Sequence, residues 1–230
     1  MLFYQPAGGY CFNSDSIFLY DFASRFHPKG EVLDVGSGVG VIGLLLGRDF
    51  PVRVTLVEKQ PRMAELARHN ARISAVDAKV VEADFLRFDP GRQFDMIVSN
   101  PPFYHDDVIQ SDDPHMHACR YNVHLPPADF FGRVKRLLKP RGRFVFCYDA
   151  SQIGSLTVEL ANVGLRIEDL RWVHPKADRA AKLVLVHVRN QSRARTRVHP
   201  PLIVFEGEEY GKEARQIFKK ARTHTLKCQI

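Results

Sequence analysis

The chain is poor in cysteine: its four, Cys11, Cys119, Cys147 and Cys228, form no Cys-x-x-Cys pair. That spacing argues against a zinc knuckle and against a disulfide framework, so reduced thiols and a cytoplasmic location are expected. Long apolar runs are also missing. Nothing approaches the ~18–20 residues of a membrane span, and Met1-Leu2-Phe3-Tyr4-Gln5-Pro6 has neither the charged start nor the long apolar centre of a secretory leader. No membrane partner is expected. Internal repeats and low-complexity tracts are absent as well, and 230 residues suit one globular domain with appendages.

Acidic residues are in deficit, 26 against 33 Lys and Arg, for a net charge of +7. The last forty residues hold nine basic and four acidic side chains, so +5 of that excess is local. A positive tail suits a polyanion such as nucleic acid, and equally an ordinary solvated surface.

Apolar runs alternate with helical patterns, the mark of βαβ units and a parallel sheet. The patterns predict strands at Val32 to Val35, Val52 to Val57, Lys79 to Val81, Phe94 to Val98 and Arg143 to Tyr148. Helices are predicted near Val41 to Gly47, Arg62 to Ile73, Pro127 to Leu138 and Ser151 to Asn162. Leu165 to Val173 and Lys182 to Val188 are joined by a connection too short and turn-rich for a crossover helix, so they should pair antiparallel. Ser14 to Phe26 reads as a helix with Phe18, Phe22 and Phe26 on one face and Ser14 as its cap. Residues 1–190 then form the main domain. Residues 191–230 form a basic extension packed on or near it: a linker over Gln191 to Val198, an extended segment over 200–205 and a helical stretch from Tyr210 to Arg222.

Two places carry chemistry. The first is Val32-Leu33-Asp34-Val35-Gly36-Ser37-Gly38-Val39-Gly40-Val41, a strand, a tight turn and a helix start. Glycines let a ligand approach the backbone, and the helix N-terminus offers free N–H groups, so a nucleotide-like ligand belongs here. Val41 stands where a dinucleotide fingerprint needs its third glycine, which argues against NAD. The second is Ser99-Asn100-Pro101-Pro102-Phe103-Tyr104, at the end of the fourth predicted strand. Two prolines hold the backbone of Asn100 and Pro101 extended. The amide oxygen and a neighbouring main-chain oxygen then make two fixed acceptors, suited to a planar –NH2, with an aromatic ring for stacking.

Gly36-x-Gly38-x-Gly40 preceded by Asp34 resembles motif I of class I S-adenosylmethionine-dependent methyltransferases. The resemblance implies an α/β Rossmann-like fold: a seven-stranded, mostly parallel sheet with a terminal antiparallel hairpin and helices on both faces. It further implies S-adenosylmethionine as cofactor. Asp34 would orient the methionine amine, Glu58 the ribose hydroxyls, and Asp84 with Phe85 the adenine, while Gly36, Gly38, Gly40 and Asn100 line the site. Asn100-Pro101-Pro102-Phe103 resembles motif IV of amino-group methyltransferases, which makes these four the catalytic set and requires no metal. His105, Asp106, Asp107, His115, His117 and Cys119 lie in one long polar loop without a matching ligand pair and are discounted as a metal site.

Tyr10-Cys11-Phe12-Asn13-Ser14-Asp15-Ser16-Ile17, Ala118-Cys119-Arg120-Tyr121, Gly142-Arg143-Phe144 and the segment from Pro200-Pro201-Leu202-Ile203-Val204-Phe205 to Glu209-Tyr210-Gly211-Lys212-Glu213-Ala214 resemble the bacterial valine-tRNA adenine-N6 methyltransferases. What this implies is methyl transfer to adenine in the anticodon-loop region of a tRNA. Tyr104, Arg120, Arg193, Arg195, Arg197, Lys219, Lys220 and Arg222 are then candidate RNA contacts, and the 104–124 loop a candidate cover for the substrate. Asn13 stands where Ser or Thr is usual in that family, and Phe103 where many members carry Tyr. Motif IV is shared by guanine-N2 enzymes of ribosomal RNA and glutamine-amide enzymes of release factors, and a non-catalytic RNA-binding module of the same fold also remains open.

Overall fold

In the computed structural model, which describes residues 1–8, 11–101 and 126–228, elements run in the order β1 (Leu2–Pro6), α1 (Ser14–Ser24), β2 (Gly30–Val35), α2 (Val41–Asp49), β3 (Val52–Glu58), α3 (Pro61–Ile73), β4 (Ala78–Glu82) and β5 (Phe94–Ser99). After the undescribed residues come α4 (Pro127–Leu137), β6 (Leu138–Asp149), a 3-10 turn (Ala150–Gln152), α5 (Ile153–Asn162), β7 (Leu165–His174) and β8 (Leu183–Asn190). The C-terminal part holds β9 (Arg197–Val198), β10 (Leu202–Ile203), β11 (Phe205–Glu206), β12 (Glu209–Tyr210), α6 (Lys212–Ala221) and β13 (His224–Cys228). No helix among the described residues is long and apolar enough to cross a membrane.

The main sheet runs β10-β7-β8-β6-β5-β2-β3-β4, with β9 also along the outer edge of β7. β8 alone is reversed, antiparallel to both β6 and β7. The seven strands read from hydrophobic runs are present, and the expected hairpin is β7-β8. Between β2 and β5 the strand order reverses, since β3 and β4 extend to one side and β6 to the other; in open α/β sheets such a switch point opens a crevice beyond the carboxyl ends. β6 starts earlier than the Arg143 expected. Its first residue pairs Phe94↔Leu138 and the register then slips to Met96↔Arg143. Gly142 permits the slip, because a Cβ there would stand 2.9 Å from the Phe94 carbonyl oxygen.

Both faces of the sheet need cover, as parallel strands rich in Val, Ile and Leu always do. On α4, Phe130, Phe131, Val134 and Leu137 are buried, and Phe130 and Phe131 meet Phe144 and Phe146, whose rings stack at 4.4 Å. Burying one such side chain contributes ~1.5–3 kcal/mol. Helix α1 is buried from Ser16 to Ser24, apolar nearly all round, because it lies between the sheet, α2 and α6. Phe18 and Phe22 face the core as expected, whereas Phe26 lies beyond the helix end and packs on Phe22 and His187. The cap is Asn13 rather than Ser14: Asn13 Oδ1 accepts from the Asp15 N–H at 3.1 Å, and Ser14 is the first helical residue. Asparagine is as good a cap as serine, so the pattern alone left the register one residue uncertain.

The C-terminal extension is bound by specific contacts. The expected linker contributes β9, and the His199 N–H donates to the Leu170 carbonyl at 2.8 Å. Asp169, nearly buried, bridges His187 Nδ1 at 2.9 Å and His199 Nε2 at 2.8 Å. Burial opposes ionisation of Asp169, yet the two imidazoles outweigh it and hold the carboxyl below its usual range. Phe218 of α6 packs on Phe18, Lys220 Nζ lies 2.9 Å from Asp21 Oδ1, and β13 pairs in parallel with β1.

Candidate active site

Sheet register brings the site together. Val35 pairs with Val57 on one side and Ser99 on the other, and Ser99 pairs with Phe146. The residues that follow therefore lie level with one another: Glu58, Gly36 and Asn100 at the carboxyl ends of β3, β2 and β5, and Cys147 buried within β6. Ser99 locks the row, its hydroxyl donating to the Val35 carbonyl at 2.9 Å.

Gly36, Gly38 and Gly40 all take positive φ, 64°, 54° and 90°. At Gly36 and Gly38 a Cβ would meet nothing within 4 Å among the described residues, so backbone conformation rather than packing against them requires glycine there. The Gly36 and Ser37 N–H groups donate to the Val57 carbonyl at 2.9 and 3.1 Å, anchoring the turn to β3. Glu58 Oε2 accepts from the Gly38 N–H and Oε1 from the Gln60 N–H, both at 2.8 Å. Burial raises the Glu58 carboxyl, and these backbone donors oppose the shift. Asp34 Oδ2 accepts from the Gly43 N–H at 2.8 Å, in the first turn of α2. Burial pushes its carboxyl up to about 7; the Gly43 N–H opposes this and the Glu58 charge adds to it.

Two polar atoms beside the turn, Asp34 Oδ1 and Ser37 Oγ, are buried without a hydrogen-bond partner among the described residues. Leaving a buried polar atom unpaired costs ~1–3 kcal/mol, and a ligand donor relieves that cost. A glycine cradle, an orphaned carboxylate oxygen and a second acid one strand away fit the S-adenosylmethionine that the resemblance implies. Asp34 would meet its ammonium group and Glu58 its ribose hydroxyls.

Asp84 lies just beyond β4. Its Oδ1 accepts from the Leu86 N–H at 3.0 Å and its Oδ2 lies 3.1 Å from Lys59 Nζ. Burial opposes ionisation here, but Lys59 and the Leu86 N–H prevail and hold the carboxyl below its usual range. Phe85 is buried edge-to-face against Phe130, 5.4 Å between centroids.

Asn100 is half-buried and Pro101 buried. The Asn100 amide is held at both ends: Nδ2 donates to Ser16 Oγ at 3.2 Å, and Oδ1 accepts from the Cys147 thiol at 2.9 Å. Next to Ser16 in sequence, Asp15 has its carboxyl raised by burial, opposed by Asn13 and Ser14. Pro102, Phe103, Tyr104, Arg120 and the 104–124 loop lie outside the described residues. Of the basic candidates, Arg193, Arg195, Arg197 and Lys219 are exposed. Lys220 is engaged by Asp21 and the Tyr20 ring, and Arg222 is the left-handed cap of α6, φ 48°, with its carbonyl accepting from the N-terminal ammonium.

Four residues here were not singled out from sequence. Ser16 sat in a segment noted only for its likeness to other chains, and Ser37 within the glycine turn. Cys147 gave no signal inside an apolar run, because its neighbour is set by the β5-β6 register. Asn70, fully buried on α3, donates through Nδ2 to the Val39 carbonyl at 3.0 Å and the Tyr4 carbonyl at 3.1 Å, and accepts from the Tyr4 N–H at 2.8 Å. It ties β1 to the glycine turn.

Residues 13–118 match the family model of the methyltransferase small domain. The chain is 30% identical over 178 residues to a tRNA1(Val) (adenine(37)-N6)-methyltransferase of Porphyromonas gingivalis, covering 71% of this chain and 69% of that one. It is 45% identical over only 77 residues to a release factor glutamine methyltransferase of Koribacter versatilis, 33% of this chain and 28% of that one. In fold it is similar to the crystal structure of a predicted O-methyltransferase, protein Atu636 from Agrobacterium tumefaciens, with TM-score 0.69 and 19% identity over 93% of this chain and 100% of that one.

Proposed function

The chain belongs to the class I S-adenosylmethionine-dependent methyltransferases, and on that premise we propose that it methylates the exocyclic N6 amine of an adenine in the anticodon-loop region of a tRNA. The observation that supports the reading is that Asn100 directly follows Ser99, which pairs with Val35, so that it stands level with Gly36 and Glu58 at the carboxyl ends of their strands. When bound, the cofactor supplies an electrophilic methyl group on a sulfonium.

An exocyclic amine is a weak nucleophile because its lone pair is delocalised into the ring. Asn100 Oδ1 and the Pro101 carbonyl would accept its two hydrogens, favouring the pyramidal, positively charged form that develops in the transition state. Phe103 would stack on the base and hold it in line with the methyl donor. The amine proton can leave after transfer, so no obligatory base is required. An anticodon loop presents unstacked bases, which suits recognition of a single adenine with little unpairing. Arg193, Arg195, Arg197 and Lys219 would neutralise phosphates, with Tyr104 and Arg120 as further candidate RNA contacts. A cytoplasmic enzyme is the matching location.

Breadth of similarity favours tRNA over protein as substrate: the tRNA enzyme of P. gingivalis aligns along 71% of this chain, the glutamine enzyme along 33%. The glutamine amide is the second reading, supported by the higher local identity of that shorter match. Incubation with labelled cofactor and bulk unmodified tRNA, followed by nucleoside analysis, should yield N6-methyladenine. Label in N2-methylguanine or in release factors instead would overturn the adenine assignment.

A further inference from the structure

The geometry points to Ser16 and Cys147 as positioning residues that clamp the Asn100 amide, so that one lone pair of Oδ1 is occupied by the thiol and the other is left for the substrate amine. This inference rests on the acceptor role proposed for Asn100.

An unrestrained asparagine amide can flip, and a flipped amide offers a donor where the reaction needs an acceptor. Two contacts prevent this. Ser16 Oγ receives the Nδ2–H at 3.2 Å, and Cys147 Sγ sits 2.9 Å from Oδ1. A serine hydroxyl serves either end of an amide equally well, whereas a thiol is a donor with little acceptor strength, so Cys147 selects the oxygen. That donor persists across physiological pH, because burial pushes the Cys147 thiol well above its ordinary range and the nearby Asp15 charge adds to the effect. Both partners are buried. Cys147 is fully buried on β6, and Ser16 is 5% exposed in the first turn of α1. The carbonyl oxygen keeps a second lone pair roughly in the amide plane. The N-terminal helix, distant in sequence from the motif it serves, thereby becomes part of the acceptor site. Its start is fixed by the Asn13 cap two residues before Asp15.

The full-length protein allows a test with two independent readouts. In steady-state methylation, Cys147→Ala and Ser16→Ala should each lower kcat by roughly 3- to 10-fold, the scale of one lost hydrogen bond. KM for the cofactor should stay within about twofold, since neither residue lies in the glycine turn. Ser16→Thr, which keeps the acceptor, should recover most of its loss, whereas Cys147→Ser, whose hydroxyl serves either end of the amide, should recover only part, and the double alanine variant should fall short of the product of the two single effects because both act on one amide. Separately, the Asn100 side-chain amide protons, identified by their absence in Asn100→Ala, should exchange slowly in the wild type and roughly tenfold faster in either alanine variant. Unchanged exchange and unchanged kcat in both alanine variants would overturn the clamp. Slow wild-type exchange that quickens in the variants, in a protein that methylates no amino group, would uphold the clamp and overturn the proposed function alone.

Discussion

Asp34→Asn should abolish a pH dependence of cofactor affinity that the wild-type protein shows between about pH 6 and 8. The wild-type carboxyl is pushed by burial up to about 7 from 3.8, against the Gly43 N–H and with help from the Glu58 charge. Its Oδ1 has no partner among the described residues. An ammonium group placed against that oxygen stabilises the ionised form, so binding below the carboxyl's own pKa releases a proton, and affinity rises with pH until the carboxyl is already ionised. About nine-tenths of the groups are protonated one pH unit below the pKa and about nine-tenths ionised one unit above it, so affinity should tighten roughly tenfold across that interval. For the cofactor-free protein the sign reverses. A raised folded-state pKa gives a stability contribution that is full below about pH 4 and lost as pH rises through 7, by ~4 kcal/mol at most, and the asparagine variant should flatten this as well. Calorimetry in two buffers of different ionisation enthalpy reads the released proton directly, and titration of the cofactor's own amine is common to both proteins and cancels in the comparison. A flat wild-type profile, or an equal slope in Asp34→Asn, would refute the carboxylate–ammonium contact.

Asn100→Ala should still bind cofactor by calorimetry yet lose ~100-fold or more in kcat, the scale seen when a transition-state hydrogen-bond partner is removed; near-wild-type turnover would exclude the acceptor role. Asn70→Ala strips partners from three backbone groups at once and should cost ~3 kcal/mol in urea unfolding. Gly43→Ala places a Cβ 2.4 Å from Leu56 Cδ2 and 3.1 Å from Asp34 Cβ; overpacking should outweigh the usual helical gain and destabilise by ~1–2 kcal/mol in the same assay. Arg193→Gln with Arg195→Gln, both on the exposed extension, should weaken tRNA binding and flatten its salt dependence by about one to two charges, read by filter binding over a salt series.

Much of this architecture was legible along the chain because periodicity and punctuation are local. Runs such as Phe94 to Val98 marked buried strands, and the short polar connection before Lys182 allowed only an antiparallel return. Glycines 36, 38 and 40 announced a tight turn because few other residues tolerate the positive φ found at each. Elements made by partners distant in sequence stayed invisible. The β1-β13 ladder joins opposite ends of the chain, and β9 and β10 are two-residue strands that exist only because β7 offers an edge.

The candidate site divides along the same line. Residue identity alone determined that a glycine turn with acids at the ends of successive strands suits a nucleoside-bearing cofactor, and that an asparagine followed by two prolines offers rigid acceptors, since both arguments need only the chemistry of a few adjacent residues. Tertiary structure decided what surrounds those groups. It set Asp34 in a desolvated position with one oxygen unpaired, spent Lys220 on Asp21, and brought Ser16 and Cys147 to opposite ends of the Asn100 amide. Those contacts depend on strand register and on how α1 lies against the sheet, and both are fixed by burial of side chains far apart in sequence, which no local pattern encodes.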